Sequence, residues 1–388
     1  MERKKVAVVH TFPTPYRIPL FERLLNDQEL DVRIFFTDRP ASLRPGISFG
    51  ALGSDERVIA LPEIGFPPFK RGDDKIRINA GLARVFAWKP DVILIYGYNE
   101  PTNLLAIMLC VLHRVPYVLF AEASYVEERS LRRRIFAPFL SQIIRHAACL
   151  GPASSSCAAF FRSMGCEDSQ MVIVPCLPDV QSIQAMSNEA RQRTAETRRK
   201  LRVEGKTVLV FIGRFLKCKG LKEMFEALDI ARLHQPDVVL VIGGYGLEEK
   251  YVKTQCDLRP ENSRYFGFVQ GVGQLCELFS VADLHLMPSW YEGYGVVCAE
   301  ALSCGVPSII TRSCGCADVV IDGVNGFIVE PRDPDGLADG ILKTISDPDR
   351  LAMMKRMANV TVKDLTMDVL YAKLKSLITL ASADKNRT

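Results

Sequence analysis

At 388 residues the chain is too long for one ordinary hydrophobic core, and at about 100 to 200 residues per domain it favours two. A composition 48% hydrophobic and 24% charged is that of a soluble globular protein, and a net charge of +4 is too slight to argue for nucleic acid as a partner. The longest apolar run, 104–112, ends at His113-Arg114, far short of the roughly 20 residues that span a bilayer.

After Glu2-Arg3-Lys4-Lys5 the apolar run 6–9 is broken by His10 and Pro13, which is not the pattern of a secretory leader. The twelve cysteines are therefore expected as reduced thiols of a cytoplasmic protein. Cys314-Gly-Cys316 has no second pair at zinc-ligand spacing and reads as structural thiols, so no metal site is expected.

In chain order, 6–9 reads as a buried strand, 18–25 as a helix, 32–36 as a strand, 79–88 as a helix, 92–96 as a strand, 104–112 as an apolar helix and 117–120 as a strand. Such alternation implies a parallel sheet wrapped by helices, with ligands beyond the C-terminal strand ends. That draws attention to Tyr16 and Arg17, to Tyr98-Asn99-Glu100, and to Glu122 with Tyr125. Taken singly, each reads more readily as an ordinary solvated loop side chain. Between 129 and 145, Arg129, Arg132, Arg133 and Arg134 are interleaved with apolar residues. The segment reads either as a solvated helix face or as an amphipathic helix in peripheral contact with an anionic membrane surface.

A further strand is expected at 171–174, followed by a polar stretch, 187–204, in which Lys200 and its basic neighbours read as a solvated helix. A second alternation then begins, with strands at 207–212, 238–242, 264–269, 284–287, 308–311 and 327–329. The second half thus repeats the architecture of the first. The segment 367–380 reads as a helix, and 382–388 should fray.

Three stretches of the second half carry chemistry. Gly213-Arg214-Phe-Leu-Lys-Cys-Lys219-Gly220 follows a strand, so its cations emerge at the sheet's C-terminal edge, where they either lie in solvent or neutralise a leaving diphosphate. Gly243-Gly244-Tyr245-Gly246 suggests a dinucleotide fingerprint, but Glu249 stands where the third glycine belongs, so it reads as turn chemistry and counts against a nicotinamide-dependent oxidoreductase. Residues 288–310, PSWYEGYGVVCAEALSCGVPSII, form a strand exit, a glycine loop and a helix start. Glycines allow close backbone approach and a helix start presents unpaired N–H groups, which suits a diphosphate. Glu292 precedes that helix and Glu300 lies inside it, and at about 1.5 Å per helical residue the two carboxylates could bracket a sugar nucleotide. The plainer reading is a buried strand-loop-helix with two exposed glutamates.

In this order and spacing, GRFLKCKG, VIGGYG, YFGFV, MPSWYEGYGVVCAEALSCGVPSI and SCGCADVVIDGVNGFIV resemble the C-terminal donor domain of the family 4 glycosyltransferases of GT-B fold, over about 207–345. The N-terminal half resembles the family as an architecture only. The resemblance implies an α/β chain of two Rossmann-like domains facing a cleft: an acceptor-binding domain over 1–180, a nucleotide-sugar-binding domain over 181–365, and a C-terminal helix, 366–388, packing back on the first domain. It also implies a nucleotide-diphosphate sugar as donor substrate with no separate cofactor, no required metal, and transfer with retention of anomeric configuration. By the same resemblance Arg214 and Lys219, after Gly213, hold the diphosphate. Glu292 contacts donor-sugar hydroxyls, Glu300 the ribose, the backbone of Tyr294, Gly295 and Val296 the phosphate and sugar, and that of Phe268 and Val269 the base.

Three positions depart from the family pattern. Pro13-Thr-Pro15-Tyr16-Arg17 replaces a glycine pair, Glu122 lies where a histidine is common, and Cys176-Leu177 replaces Asn-Gly. Glu122 is the candidate to replace that histidine at an acceptor or sugar hydroxyl. The expected function is a retaining, metal-independent hexosyltransferase of glycan, polysaccharide or glycoconjugate biosynthesis, acting on a glycan, lipid-linked or small-molecule acceptor. A GT-B nucleotide-sugar epimerase and a non-catalytic sugar-nucleotide-binding protein are the alternatives.

Overall fold

The computed structural model describes residues 3–12, 14–38, 50–62, 69–71, 74–76, 78–122 and 131–383; the side chains of 50–51, 69–71, 74–76 and 131–137 fall outside the description. The chain divides into two compact units, Met1–Cys176 with Met367–Thr388, and Leu177–Thr366.

In unit 1 the order is β1 (Lys4–His10), α1 (Ile18–Asn26), β2 (Leu30–Phe36), β3 (Val58–Ala60), a two-strand antiparallel ladder of β4 (Phe69–Arg71) and β5 (Asp74–Ile76), α2 (Leu82–Ala87), β6 (Val92–Tyr96), α3 (Pro101–His113), β7 (Tyr117–Ala121), α4 (Leu131–Arg145), β8 (Cys149–Pro152) and α5 (Ser155–Ser163). Unit 2 runs α6 (Val180–Arg191), α7 (Thr194–Leu201), β9 (Thr207–Arg214), α8 (Leu221–His234), β10 (Val238–Tyr245), α9 (Glu249–Asp257), β11 (Ser263–Gly267), α10 (Gly271–Val281) and β12 (Leu284–Met287). It continues through α11 (Val296–Ser303), β13 (Ser308–Thr311), β14 (Gly326–Val329), α12 (Pro334–Ile345) and α13 (Pro348–Val362). The last helix, α14 (Met367–Ala383), belongs to unit 1.

Each unit is built on a six-stranded parallel sheet, in the orders β3-β2-β1-β6-β7-β8 and β11-β10-β9-β12-β13-β14. Helices cover both faces, so central strands such as Val6–Val9 are apolar without alternation. In each sheet the strand order reverses once, between β1 and β6 and between β9 and β12. A crevice opens outside the strand ends at such reversals, and it is the usual ligand position in doubly wound sheets.

Helix α14 buries Leu370, Leu374, Leu377 and Ile378 in the unit 1 core. Its polar side is tied to the same unit, with Lys375 at 3.0 Å from Asp27 and 2.8 Å from Glu29, Tyr371 donating to Asp27, and Arg23 paired with Asp368. The residues 382–383 expected to fray are its last; 384–388 lie outside the described residues.

Two expectations are corrected, at 171–174 and at 79. Residues 171–174 are not a strand: they make a single bridge, Leu150 to Met171, and the sheet's sixth strand is β8, unread because CLGP is short and holds both Gly and Pro. The polar stretch 187–204 runs through the end of α6, α7 and the turn past it in unit 2, and Lys200, expected on a solvated helix, is on one, paired at 2.8 Å to Glu196. The helix expected from 79 begins at Leu82, because Asn79 is buried and its amide donates to the carbonyls of Thr37 and Leu61, at 2.9 and 3.1 Å.

Candidate functional site

In unit 2 the residues singled out by sequence gather at the β9/β12 reversal. β9 ends on Arg214, Phe215 anchors the following turn in the core, and the 3-10 turn Lys217–Lys219 leads to Gly220. Gly220 has φ +67°, and a Cβ there would lie 2.0 Å from the Pro288 carbonyl oxygen. Only glycine lets the two loops press together this closely. The Trp290 N–H then donates to the Cys218 carbonyl at 2.8 Å, and the indole Nε1 donates to Glu223 at 2.9 Å.

This packing brings Lys219 Nζ onto the Glu292 carboxylate as a largely buried ion pair, although the two residues lie 73 positions apart. The Glu292 backbone is held too: its N–H donates to Ser313 and its carbonyl accepts from Gly315, each at 3.2 Å. Arg214 is exposed at the strand end, with no carboxylate within ion-pair distance among the described residues. One cation is thus compensated in place and the other is open to an incoming anion.

Gly295, at φ +91°, caps α11. A Cβ on it would fall 2.7 Å from Met287 Cε and 3.1 Å from Cys316 Sγ. Tyr294 is buried beneath the loop, and its carbonyl accepts from the Cys316 N–H at 2.7 Å. One turn into α11, Glu300 is half-buried, and burial pushes its carboxyl up to about 7. Neither glutamate is an exposed surface residue, which removes the plainer reading of this stretch.

Phe268 is exposed just past β11 and meets Tyr245 edge-on at 5.1 Å, while a Cβ on Gly243 would lie 2.6 Å from Val269. Gly244 and Gly246 admit the Gly213 and Phe215 carbonyls, at 1.9 and 2.5 Å from a hypothetical Cβ. The GGYG sequence therefore serves close packing of β10 on the β9 exit. Cys314 and Cys316 are buried free thiols, and among the described residues no group of three His, Cys, Asp or Glu side chains is placed to hold a metal ion.

In unit 1 a cavity of about 280 Å³ lies at the β1/β6 reversal, lined by His10, Tyr16, Arg17, Tyr96, Asn99 and Glu122 among others. Arg17 is 3% exposed. Its Nη2 donates to Cys176 Sγ at 2.9 Å and lies 3.6 Å from Glu122 Oε1, and its guanidinium sits 4.8 Å over the Tyr96 ring. Burial keeps Cys176 a thiol, which donates to Glu122 Oε1 at 3.0 Å; the Tyr16 hydroxyl reaches the same oxygen at 3.4 Å. Burial and the nearby Arg17 lower His10 to about 3, so it is neutral. Tyr16 and Arg17 thus form one network with Glu122, and its further member, Cys176, was noted in the sequence only as a departure from the family pattern. Its only signal was position: it stands where the family pattern has Asn. Tyr125 lies outside the described residues, as does the 129–130 start of the basic segment; the remainder of that segment is α4.

Residues 192–360 match the family described as "Glycosyl transferases group 1", and 20–176 match "Glycosyl transferase 4-like domain". The chain belongs to the group 1, family 4-like glycosyltransferases. The chain is 28% identical over 290 residues to a glycogen synthase of Mycobacterium tuberculosis, covering 73% of this chain and 66% of the relative. It is 32% identical over 191 residues to a D-inositol 3-phosphate glycosyltransferase of Corynebacterium jeikeium, covering 47% and 45%. The chain therefore spans about half to two thirds of the length of these curated relatives. The crystal structure of Anabaena HepE in complex with UDP superposes with a TM-score of 0.74 at 17% identity, covering 97% of this chain and 99% of that one, which shows a shared GT-B fold.

Proposed function

We propose that the protein transfers a hexose-type sugar from a nucleoside-diphosphate sugar to an acceptor hydroxyl with retention of configuration, in glycan, polysaccharide or glycoconjugate biosynthesis. The observation that carries this reading is the convergence of Arg214, the Lys219–Glu292 pair and the glycine-capped start of α11 at the β9/β12 reversal. HepE, which shares the fold, was solved with UDP and with UDP-glucose, and a nucleotide sugar is the ligand class that suits these residues.

In the proposed reaction the acceptor oxygen bonds to the anomeric carbon on the face from which the diphosphate departs. The bond from that carbon to the phosphate oxygen breaks, and the acceptor proton passes to the departing phosphate. Arg214 and Lys219 neutralise the charge that develops on the diphosphate, without calling on a metal. As the phosphate draws Lys219, the Glu292 carboxylate is released towards sugar hydroxyls. Ionised Glu300 accepts from the ribose. In unit 1, Glu122, with one oxygen held by Cys176 and Tyr16, offers the other to an acceptor hydroxyl. A cytoplasmic setting goes with twelve free thiols.

The test is a panel of nucleotide sugars assayed for hydrolysis and for thermal stabilisation, since a ligand at 100 times its Kd adds roughly 2.7 kcal/mol. A hit is then followed by NMR of the product's anomeric centre. An inverted product, or no stabilisation by any nucleotide sugar, defeats the proposal.

A further inference from the structure

One face of the unit 1 sheet is covered by α2, α3, α4 and α5, whose inner residues Val85, Ile107, Ile144 and Phe160 share one core. Their outer side is unusual in two independent respects. On α3, Leu105, Met108, Val111 and Leu112 are all exposed, Met108 by 53% and Leu112 by 74%. Spacings of three, four and seven place Leu105, Met108 and Leu112 in one stripe along the helix. Phe139 on neighbouring α4 is exposed as well. Single exposed apolar residues are ordinary, whereas a stripe of them on one helix marks a contact surface.

The second respect is charge. The chain as a whole balances 49 basic against 45 acidic residues. Yet α2, α3 and α4 carry Arg84, His113, Arg132, Arg133, Arg134 and Arg145 and not one Asp or Glu. Arg114 follows at once as the C-cap of α3. Arg84, Arg114 and Arg145 are exposed, and none has an ion-pair partner among the described residues. A solvated helix face normally mixes both signs. Among the described residues, Arg84, Arg114 and Arg145 stand exposed and unpaired around an apolar stripe, and Glu100, the N-cap of α3, is the acid next to these helices in sequence.

We propose that the α2–α3–α4 face docks on a lipid bilayer rich in anionic headgroups. Leu105, Met108 and Leu112 enter the boundary between headgroups and acyl chains, and the flanking arginines meet lipid phosphates. No described helix is long and apolar enough to cross a membrane, so the association is peripheral through this face. The inference does not depend on the transfer reaction.

The experiment is co-sedimentation of the full chain with phosphatidylcholine vesicles and with vesicles in which phosphatidylglycerol replaces a third of the lipid. Binding is expected to the anionic vesicles, weakening as salt rises. Arg84→Gln and Arg145→Gln should each weaken it roughly fivefold, and the double variant Met108→Asp/Leu112→Asp should abolish it while thermal unfolding stays as in the parent, since both side chains are largely exposed. Equal binding to neutral vesicles, no binding at low salt, or full binding by the double variant overturns the proposal. So does a dimer in sedimentation equilibrium that the double variant dissociates, with no vesicle binding, because the stripe would then join two copies. Hydrolysis of a nucleotide sugar by the same preparations without vesicles separates this outcome from a failure of the transferase reading.

Discussion

Replacing Glu300 by Gln should make unit 2 more stable and less able to hold its donor. Burial raises the Glu300 carboxyl from 4.5 to about 7. At about 1.36 kcal/mol per pH unit, a shift of that size corresponds to at most about 3 kcal/mol against the ionised form. The residue keeps part of its surface in water, so about 1–2 kcal/mol is the working figure. Below the unfolded value both folded and unfolded chains carry the proton and the penalty is absent. It builds as pH rises from 4.5 and is complete above about 7, so the native carboxyl costs stability on the alkaline side only. Glu300→Gln should therefore raise the unit 2 unfolding temperature by roughly 3–6 °C at about pH 8 and leave it nearly unchanged at about pH 5. Because two units need not melt together, the transition should be followed by hydrogen exchange in α11 as well as by calorimetry. The same variant should bind the donor nucleotide roughly 10- to 100-fold more weakly, the scale of losing a hydrogen bond to a charged acceptor. Equal destabilisation at both pH values would refute the reasoning, since it would mean that Glu300 is satisfied in the fold.

Arg214→Ala and Lys219→Ala should each lower kcat of transfer by on the order of 100-fold, and normal turnover by either purified variant would reject the diphosphate role. Gly295→Ala should cost about 2–4 kcal/mol, combining a left-handed backbone with crowding against Met287 and Cys316; an unshifted urea midpoint would count against it. Glu122→Gln should raise KM for the acceptor by roughly tenfold, the scale of one lost charged hydrogen bond, and leave donor hydrolysis as it was. A variant that lost donor hydrolysis instead would move Glu122 out of the acceptor role.

Much of the scaffold was readable because its central strands are buried on both faces. The apolar runs at 6–9, 92–96, 207–212 and 284–287 fall within β1, β6, β9 and β12 for that reason. β8 escaped notice because four residues with a Gly and a Pro lack a period, while 171–174 looked like a strand from apolarity alone. Within the site, strand ends and glycine loops pointed to Arg214, Lys219, Glu292 and Glu300. What did not show was who pairs with whom. The Lys219–Glu292 contact depends on Gly220 seating against Pro288, and the Arg17–Cys176 contact joins residues 159 positions apart. Such pairings arise from packing and leave no local pattern. Glu300 was likewise legible as a helical glutamate but not as a desolvated one.

The return of α14 to unit 1 bears on how the chain comes to be folded. Domains usually fold as they emerge during synthesis, the earlier one first. Here Leu370, Leu374, Leu377 and Ile378 complete a core whose members outside α14 all lie before residue 177. The half made first is thus the half finished last. Until the ribosome has passed all of unit 2, the apolar surface that α14 will cover stays open to chaperones and to premature association.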